Sequence, residues 1–330
     1  LRILVPLYFT MLILMSRADT KSEILLMALL LGVSMPPINL SVRPLWKLAV
    51  DQSLLRTAYA IDTSVMSTTG IFGPIIATWI SLTWDAEISL QLCAALMLSG
   101  GLALSFSKLS RQWQPEKKDE KALPMYRIRA LQLLALEGAF LGIGWGAFDI
   151  GIPAFTTQEN VQSRTAIILG IAGLFNVFGG LFAGTISKRI SPIKGFIRTY
   201  RFWMLSCLPL AFVYPDWSMM AIAALIGFLG GIQMVFYWEV SEAIRPKGTA
   251  VQTLGWLWTI EGSFAAIGSA IGGVISENFG PQWCFAITSL AMISGYIVIS
   301  LGIKHFSAAD RLPTEEEDVA AIADTENPAL

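Results

Sequence analysis

Apolar runs long enough to be membrane-spanning helices recur along this chain, at roughly residues 3–16, 24–40, 57–84, 88–107, 130–155, 164–187, 196–214, 217–241, 250–275 and 282–304. Hydrocarbon offers no water to satisfy backbone N–H and C=O groups, so a run of this kind must close its hydrogen bonds within itself, as a helix. A composition of 54% hydrophobic and 14% charged residues leaves no stretch polar enough to cover these runs in a soluble core. The expected fold class is an all-α, multi-pass membrane protein with ten helices.

Charge supports that count. When the connections are placed alternately on two sides, 20 of the 23 Lys and Arg residues collect on one side, and Arg17, Lys21 and Arg164 remain on the other. Merging or splitting any one run would scramble this division. Basic connections stay in the cytosol, so the rich side is expected to face the cytosol across the cytoplasmic membrane.

The two halves also repeat. At an offset of 192 residues, Thr63, Ser67, Gly70, Pro74, Ala77 and Ser81 map onto Gly255, Thr259, Gly262, Ala266, Ser269 and Gly273. Small residues at alternating spacings of four and three form one narrow stripe on one helix face, where backbones can approach closely. The stripes are read as architecture, and Pro74 as a kink that could serve rocking between states. The expected organisation is a four-helix bundle over 1–107, a basic cytosolic connector over 108–129, a six-helix bundle over 130–304 and an acidic disordered tail over 305–330. The spans at 130–187 have no counterpart in the first half. The repeat therefore predicts about two further helices, roughly 60 to 80 residues, ahead of residue 1, in a protein with both ends cytosolic.

Two repeats joined by a charged connector resemble the major facilitator superfamily of secondary transporters. Arg43-Pro44-Leu45-Trp46, then Arg56 to Asp62, then Gly73-Pro74, is similar to the fourth-to-fifth helix region of bacterial efflux-type members. Lys247 to Trp256 resembles the start of their eleventh helix. The loop motif after the eighth helix has a worn counterpart in Gly184 to Lys194, where Lys188 precedes Arg189 in place of the usual acid. The glycine-rich pattern of proton-coupled exporters is matched by Gly70, Gly73 and Pro74, while Ala77 and Thr78 replace its last two glycines. The resemblance implies alternating access and favours export over uptake. Gly70, Gly73, Pro74, Gly184, Arg189 and Gly262 are the gating or packing positions it and the stripes suggest.

A carboxylate in a span costs on the order of 2.5 to 3.5 kcal/mol on insertion scales, so each one asks for a reason. Asp62, Glu137, Asp149 and Glu261 are the proton-coupling candidates. Asp62 could instead pair with Arg56, and Asp149 could lie at the outer interface. Glu261 neighbours the stripe at Gly262. An acid exposed alternately to two sides can load a proton on one and release it on the other.

Polar and aromatic groups inside apolar runs are the solute-cavity candidates: Trp145, Phe148, Asn176, Gln233, Tyr237, Trp256 and Trp258. Asn176 could equally bond a neighbouring helix. An aromatic cavity with few fixed charges suits an amphipathic organic solute better than a sugar phosphate.

Cys93, Cys207 and Cys284 stand far apart in apolar runs, and His305 is the one histidine, so no metal or cofactor is expected and a membrane enzyme is disfavoured. The expected activity is proton-coupled export of a small organic solute by a monomer, with protons and membrane lipid as its other partners and no nucleic acid. An uptake permease for a sugar or other metabolite, or an inactive truncated carrier, are the alternatives.

Overall fold

A computed structural model describes residues 1–50, 62, 65, 66, 68–70, 72, 73, 76, 77, 79–81, 83–112, 124–186, 190–246 and 248–310. Pro74, Arg56, Lys188 and Arg189, residues 113–123 of the connector and residues 311–330 of the acidic tail lie outside the described residues, whereas 305–310, expected to be part of a disordered tail, are ordered in a 3-10 segment. The chain divides into two compact units, Leu1–Pro115 and Glu116–Leu330, whose boundary falls inside the polar run expected to connect two bundles. Among the described residues every regular element is helical, and six helices are long and apolar enough to cross a membrane.

In the first unit, α1 (Leu4–Met15) packs on α2 (Lys21–Ser34) and α4 (Ala86–Phe106). Val5 is fully buried because it sits on the bare backbone of Gly101, whose Cβ, if present, would lie 2.7 Å from both Val5 methyls. Thr20 and Glu23 form a reciprocal cap that satisfies the first N–H groups of α2. Asp85 caps α4 by accepting from the Glu87 N–H at 3.1 Å.

Here the structure departs from the sequence expectation. The run at 24–40 does not continue as one helix, because α2 ends at Ser34 and a separate amphipathic helix, α3, covers Ile38–Ala49. Pro36 and Pro37 lack the N–H groups that would extend the ladder, and a residue ahead of proline is pushed out of helical geometry, as Met35 is at φ −56° and ψ 116°. A short α5 (Lys108–Gln112) follows α4. Asp62, Gly70 and Gly73 are helical.

The second unit holds α6 (Arg129–Gln158), α7 (Ser163–Ala183), α8 (Pro192–Cys207), α9 (Trp217–Ile244), α10 (Ala250–Phe279) and α11 (Gln282–Gly302). The run expected at 196–214 is a 16-residue helix beginning on Pro192, followed by a 3-10 turn at Leu208–Phe212, with Lys194, Arg198 and Arg201 exposed along it.

Glycine decides which helices pair. On α6, a Cβ at Gly142 would collide with the Glu261 carbonyl of α10, and one at Gly146 with the Ala265 carbonyl. Gly268 of α10 stands against Ile143 in the same way. The α7/α9 pair repeats the device, with Gly179 against the Phe228 carbonyl, Gly227 against that of Ala172 and Gly231 against that of Asn176. In lipid the hydrophobic effect does not favour one helix pairing over another, so close backbone approach and its dispersion energy select the partners. The stripe through Gly255, Gly262, Ser269 and Gly273 meets α6 at Ser269, whose hydroxyl donates to the Gly146 carbonyl at 3.3 Å, but it does not supply most of the contact. Among the described residues a Cβ at Gly262 or Gly273 would have no atom within 4 Å, and most of the contacting row runs through Glu261, Ala265, Gly268 and Gly272. Both rows carry small residues at helical spacing, and periodicity alone does not choose between adjacent faces.

Two clusters fill the unit. One gathers Leu131, Leu134, Ile193, Phe196, Tyr200, Phe236, Val240, Leu257, Ile299 and Phe306, and the other Phe148, Ile152, Phe155, Trp203, Met219, Ile226, Phe285 and Met292. Phe306 reaches the first cluster from the 3-10 segment Ile303–Asp310 after α11. Asp310 then accepts from the Ser191 hydroxyl at 2.7 Å and pairs with Lys194 at 3.0 Å, tying that segment to the start of α8.

Candidate functional site

Glu137 lies one third of the way along α6 and is 1% exposed, the one acidic side chain in the buried core of the described residues. Its neighbour Gly138 packs on Glu261, with 3.9 Å between the position of a Cβ there and the Glu261 Cβ. The absence of a side chain at Gly138 and Gly142 brings α10 close, so that Glu261 faces the stretch of α6 that carries Glu137. Glu261 itself is half-buried. Thus two of the four expected acids come together on facing helices.

The other two do not. Asp149 is exposed on α6, twelve residues from Glu137, which is about 18 Å along a helix. Asp62 is half-buried in the other unit.

Around Glu137 the enclosing groups come from three more helices. The bare backbone of Gly295 on α11 lies against both the Glu137 Cγ, at 3.4 Å from a Cβ position, and the Tyr200 hydroxyl of α8, with which a Cβ would collide. Tyr200 is 1% exposed and shares ring contacts with Phe196, Trp203 and Tyr296 at centroid distances of 5.7, 5.7 and 6.1 Å. The Tyr200 hydroxyl and the Glu137 Cγ thus flank the same Gly295 position, and Glu137 Oε2 and Tyr200 Oη have no hydrogen-bond partner among the described residues. On α9, Tyr237 packs beside Phe196 at 6.4 Å, and Gln233, one turn earlier, is 4% exposed with both amide atoms unpartnered. Buried polar atoms of this kind are costly wherever they occur.

The expected solute-cavity residues separate into three groups. Trp145 and Phe148 belong to the aromatic packing, 5.4 Å from each other, with Trp145 5.7 Å from Trp203 and Phe148 6.3 Å from Phe285; Phe148 is 2% exposed and serves the core. Asn176 sits in the α7/α9 contact, its backbone carbonyl against Gly231 and its Nδ2 3.4 Å from a Cβ position at Gly230. Gln233 and Tyr237 lie in the polar interior, and Trp258 faces Trp238 at 5.9 Å, with Trp256 half-buried two residues before it. Of the gating and packing positions, Gly184 ends α7 and is exposed, and among the described residues Gly70 and Gly73 have no atom within 4 Å of a Cβ position.

Sequence reasoning missed Tyr200. A usable signal was present: Phe196, Tyr200 and Trp203 recur at steps of four and three, an aromatic stripe on one face of a helix whose other face carries Arg198 and Arg201.

Six long apolar helices, joined within each unit by short connections and by glycine-mediated contacts, define a polytopic helical membrane protein. The sequence profile of the Major Facilitator Superfamily matches residues 3–263, and the chain belongs to that superfamily, whose members are transporters. It is similar to the Multidrug resistance protein MdtG of Proteus mirabilis (strain HI4320), 25% identical over 194 residues covering 54% of this chain and 47% of the relative. It is also similar to the Uncharacterized MFS-type transporter YuxJ of Bacillus subtilis (strain 168), 25% identical over 151 residues covering 46% of this chain and 38% of the relative. The MdtG of Serratia proteamaculans (strain 568) is 24% identical over 149 residues, 45% of this chain and 36% of the relative. The chain spans less than half the length of these curated relatives.

Proposed function

We propose that this chain is the carrier part of a proton-coupled exporter of small amphipathic organic solutes in the cytoplasmic membrane, with Glu137 as its coupling acid and Glu261 as the facing acid that tunes it. The observation that carries the reading is the buried, incompletely bonded Glu137 carboxyl placed against Glu261 across a glycine contact. An acid there is expensive to keep charged, and two acids side by side favour sharing one proton. Alternating access would open this carboxyl to water on one side, where it loads a proton, and then on the other, where it releases one. Moving one charge through 100 mV is worth about 2.3 kcal/mol, ample to drive a solute uphill. The likeness to proteins named for multidrug resistance supports export of organic compounds, and the aromatic neighbours Tyr237, Trp238 and Trp258 suit such solutes.

The test is reconstitution of the chain in liposomes carrying an internal pH dye, with ethidium as the solute probe. An imposed proton gradient should drive ethidium movement with stoichiometric proton counterflow, and Glu137→Gln should abolish the proton component. Ethidium movement that ignores the gradient overturns the coupling reading. Solute movement in the same direction as the protons overturns the export reading.

A further inference from the structure

We propose that Tyr200 is the positioning residue through which the protonation state of Glu137 on α6 is passed to Gln233 on α9. The inference rests on the coupling role given to Glu137 above and adds residues that the sequence reading did not join.

The register of α8 against α9 brings the three together. Trp203 of α8 meets Gly230 of α9, where a Cβ would lie 3.3 Å from the indole, and donates from Nε1 to the Ile226 carbonyl at 3.0 Å. Seven residues earlier on α8, Phe196 stands beside Tyr237, seven residues later on α9, at 6.4 Å between rings. The helices run antiparallel, so Tyr200, three residues before Trp203, is level with Gln233, three residues after Gly230. On its other side the Tyr200 hydroxyl lies with Glu137 against Gly295, where the missing side chain makes room for both. Each of the three is at least nine-tenths buried, and Glu137 Oε2, Tyr200 Oη and both Gln233 amide atoms have bonding capacity that the described residues do not fill.

The bonding chemistry of these groups has two complete solutions. A charged Glu137 only accepts, so the Tyr200 O–H must donate to it, and the tyrosine oxygen is left to accept from the Gln233 amide N–H. A protonated Glu137 donates to the tyrosine oxygen, and Tyr200 must then donate onward to Gln233 Oε1. Adding one proton on α6 therefore reverses both bonds and turns the amide on α9 end for end. A phenol suits this link because one oxygen is both donor and acceptor, and an amide suits the terminus because it offers one of each on opposite atoms. The other ionisable groups facing Glu137 are Glu261 from α10 and Tyr237 from α9, with Tyr296 of α11 behind Tyr200 and bonded to Arg201 at 3.0 Å. Tyr237 lies one turn beyond Gln233 and stacks edge-on with Trp238, so the flipped amide would present different chemistry close to the aromatic residues assigned to the solute.

The test reads bonds directly and needs no solute. Infrared difference spectra of the purified chain in lipid nanodiscs would be recorded across a pH titration, with glutamine labelled at its side-chain carbonyl carbon. A carboxylic C=O band that is missing in Glu137→Gln identifies the acid. In the unmutated chain, one labelled glutamine band should shift with the same midpoint and be missing in Gln233→Leu. Tyr200→Phe, checked for folding by its thermal unfolding, should move the Glu137 band to the frequency of an unbonded carboxyl and uncouple the glutamine band. A Glu137 band unchanged by Tyr200→Phe, or a glutamine band that never moves with it, overturns the relay. If the bands behave as expected while the liposomes show no proton movement, the relay stands and proton-coupled transport falls.

Discussion

Gly142 of α6 lies directly against the backbone carbonyl of Glu261 on α10, leaving no space for a β-carbon between the helices. The contact holds the two helices that carry the paired acids at minimum separation, so it links the packing of the unit to its chemistry. Replacing Gly142 by Ala would drive a methyl group into that carbonyl and to within 2.9 Å of the Ala265 nitrogen, where neither backbone can yield cheaply. The expected cost is about 1 to 3 kcal/mol of stability, read as a lowered unfolding temperature in detergent. Gly262→Ala is the control. Among the described residues nothing lies within 4 Å of its β-carbon position, so the change should leave stability level or raise it by up to about 1 kcal/mol through helix propensity. Equal losses at both positions would remove the glycine contact as the reason these helices pair.

Trp203 offers a second measure of what fixes the interior. Its indole N–H donates to the Ile226 carbonyl at 3.0 Å inside the second cluster, and its ring touches Trp145 and Tyr200. Trp203→Phe keeps an aromatic ring and loses the bond and part of the volume, for an expected loss of about 1 to 3 kcal/mol. Leu205→Ala, at an exposed position two residues away, should change stability by no more than about 0.5 kcal/mol. Chemical denaturation of both variants in the same micelle would decide it.

Much of this was legible beforehand, and the reasons for the misses are physical. Helix positions followed from run length because hydrocarbon leaves the backbone no other choice, and the carboxylates stood out because lipid makes each one costly. The break at Pro36 and Pro37 was written in the sequence as two missing donors and was overridden by hydropathy averaged across it. Which face of α10 meets α6 was not legible, because Gly262 and Gly268 each belong to a row of small residues and only the partner helix distinguishes them. Phe148 and Trp145, expected to line a cavity, pack in the second cluster, and an aromatic ring in an apolar run carries no mark of what covers it. Tyr200 and Gln233 acquire meaning only from the register of two helices, which no single run contains.

At the far end of the unit, the turn ahead of α9 is pinned to the turn after α6. Arg164 donates to the Pro215 carbonyl at 2.9 Å, Tyr214 donates to Glu159, and Asp216 caps α9 by accepting from the Ser218 N–H at 2.8 Å and its hydroxyl at 2.6 Å. The Ser218 hydroxyl, with its amide, holds the Asp216 carboxyl below its usual value of 3.8. A carboxyl whose pKa is lower folded than unfolded contributes stability above the unfolded value and loses it as pH falls through the folded one. Protection of the Ser218 to Met220 amides, relative to the intrinsic exchange rate at each pH, should therefore stay high at neutral pH and fall only in acid below about pH 4. Asp216→Ala should show the lowered protection already at neutral pH. Protection that fades between pH 7 and 5 would assign the effect to another group.

The acids give the sharpest contrast, because residues of the same chemistry occupy different surroundings on the same helices. Glu137 is buried against Tyr200 and Gly295, Glu261 is half-buried beside Gly138, and Asp149 is exposed about 18 Å from Glu137. An amide at 137 has the shape of the protonated acid and cannot release a proton, so Glu137→Gln should abolish gradient-driven proton movement while counterflow of bound ethidium, which needs no net proton transfer, persists. Glu261→Gln removes the neighbouring charge and leaves the coupling acid in place. Coupling should survive there, with a pH profile that differs from that of the unmutated chain, because the neighbouring acid is gone. Asp149→Asn should leave rate and profile as they were. A loss of coupling in Asp149→Asn with wild-type behaviour in Glu137→Gln would move the chemistry off the glycine contact and onto the exposed face of α6.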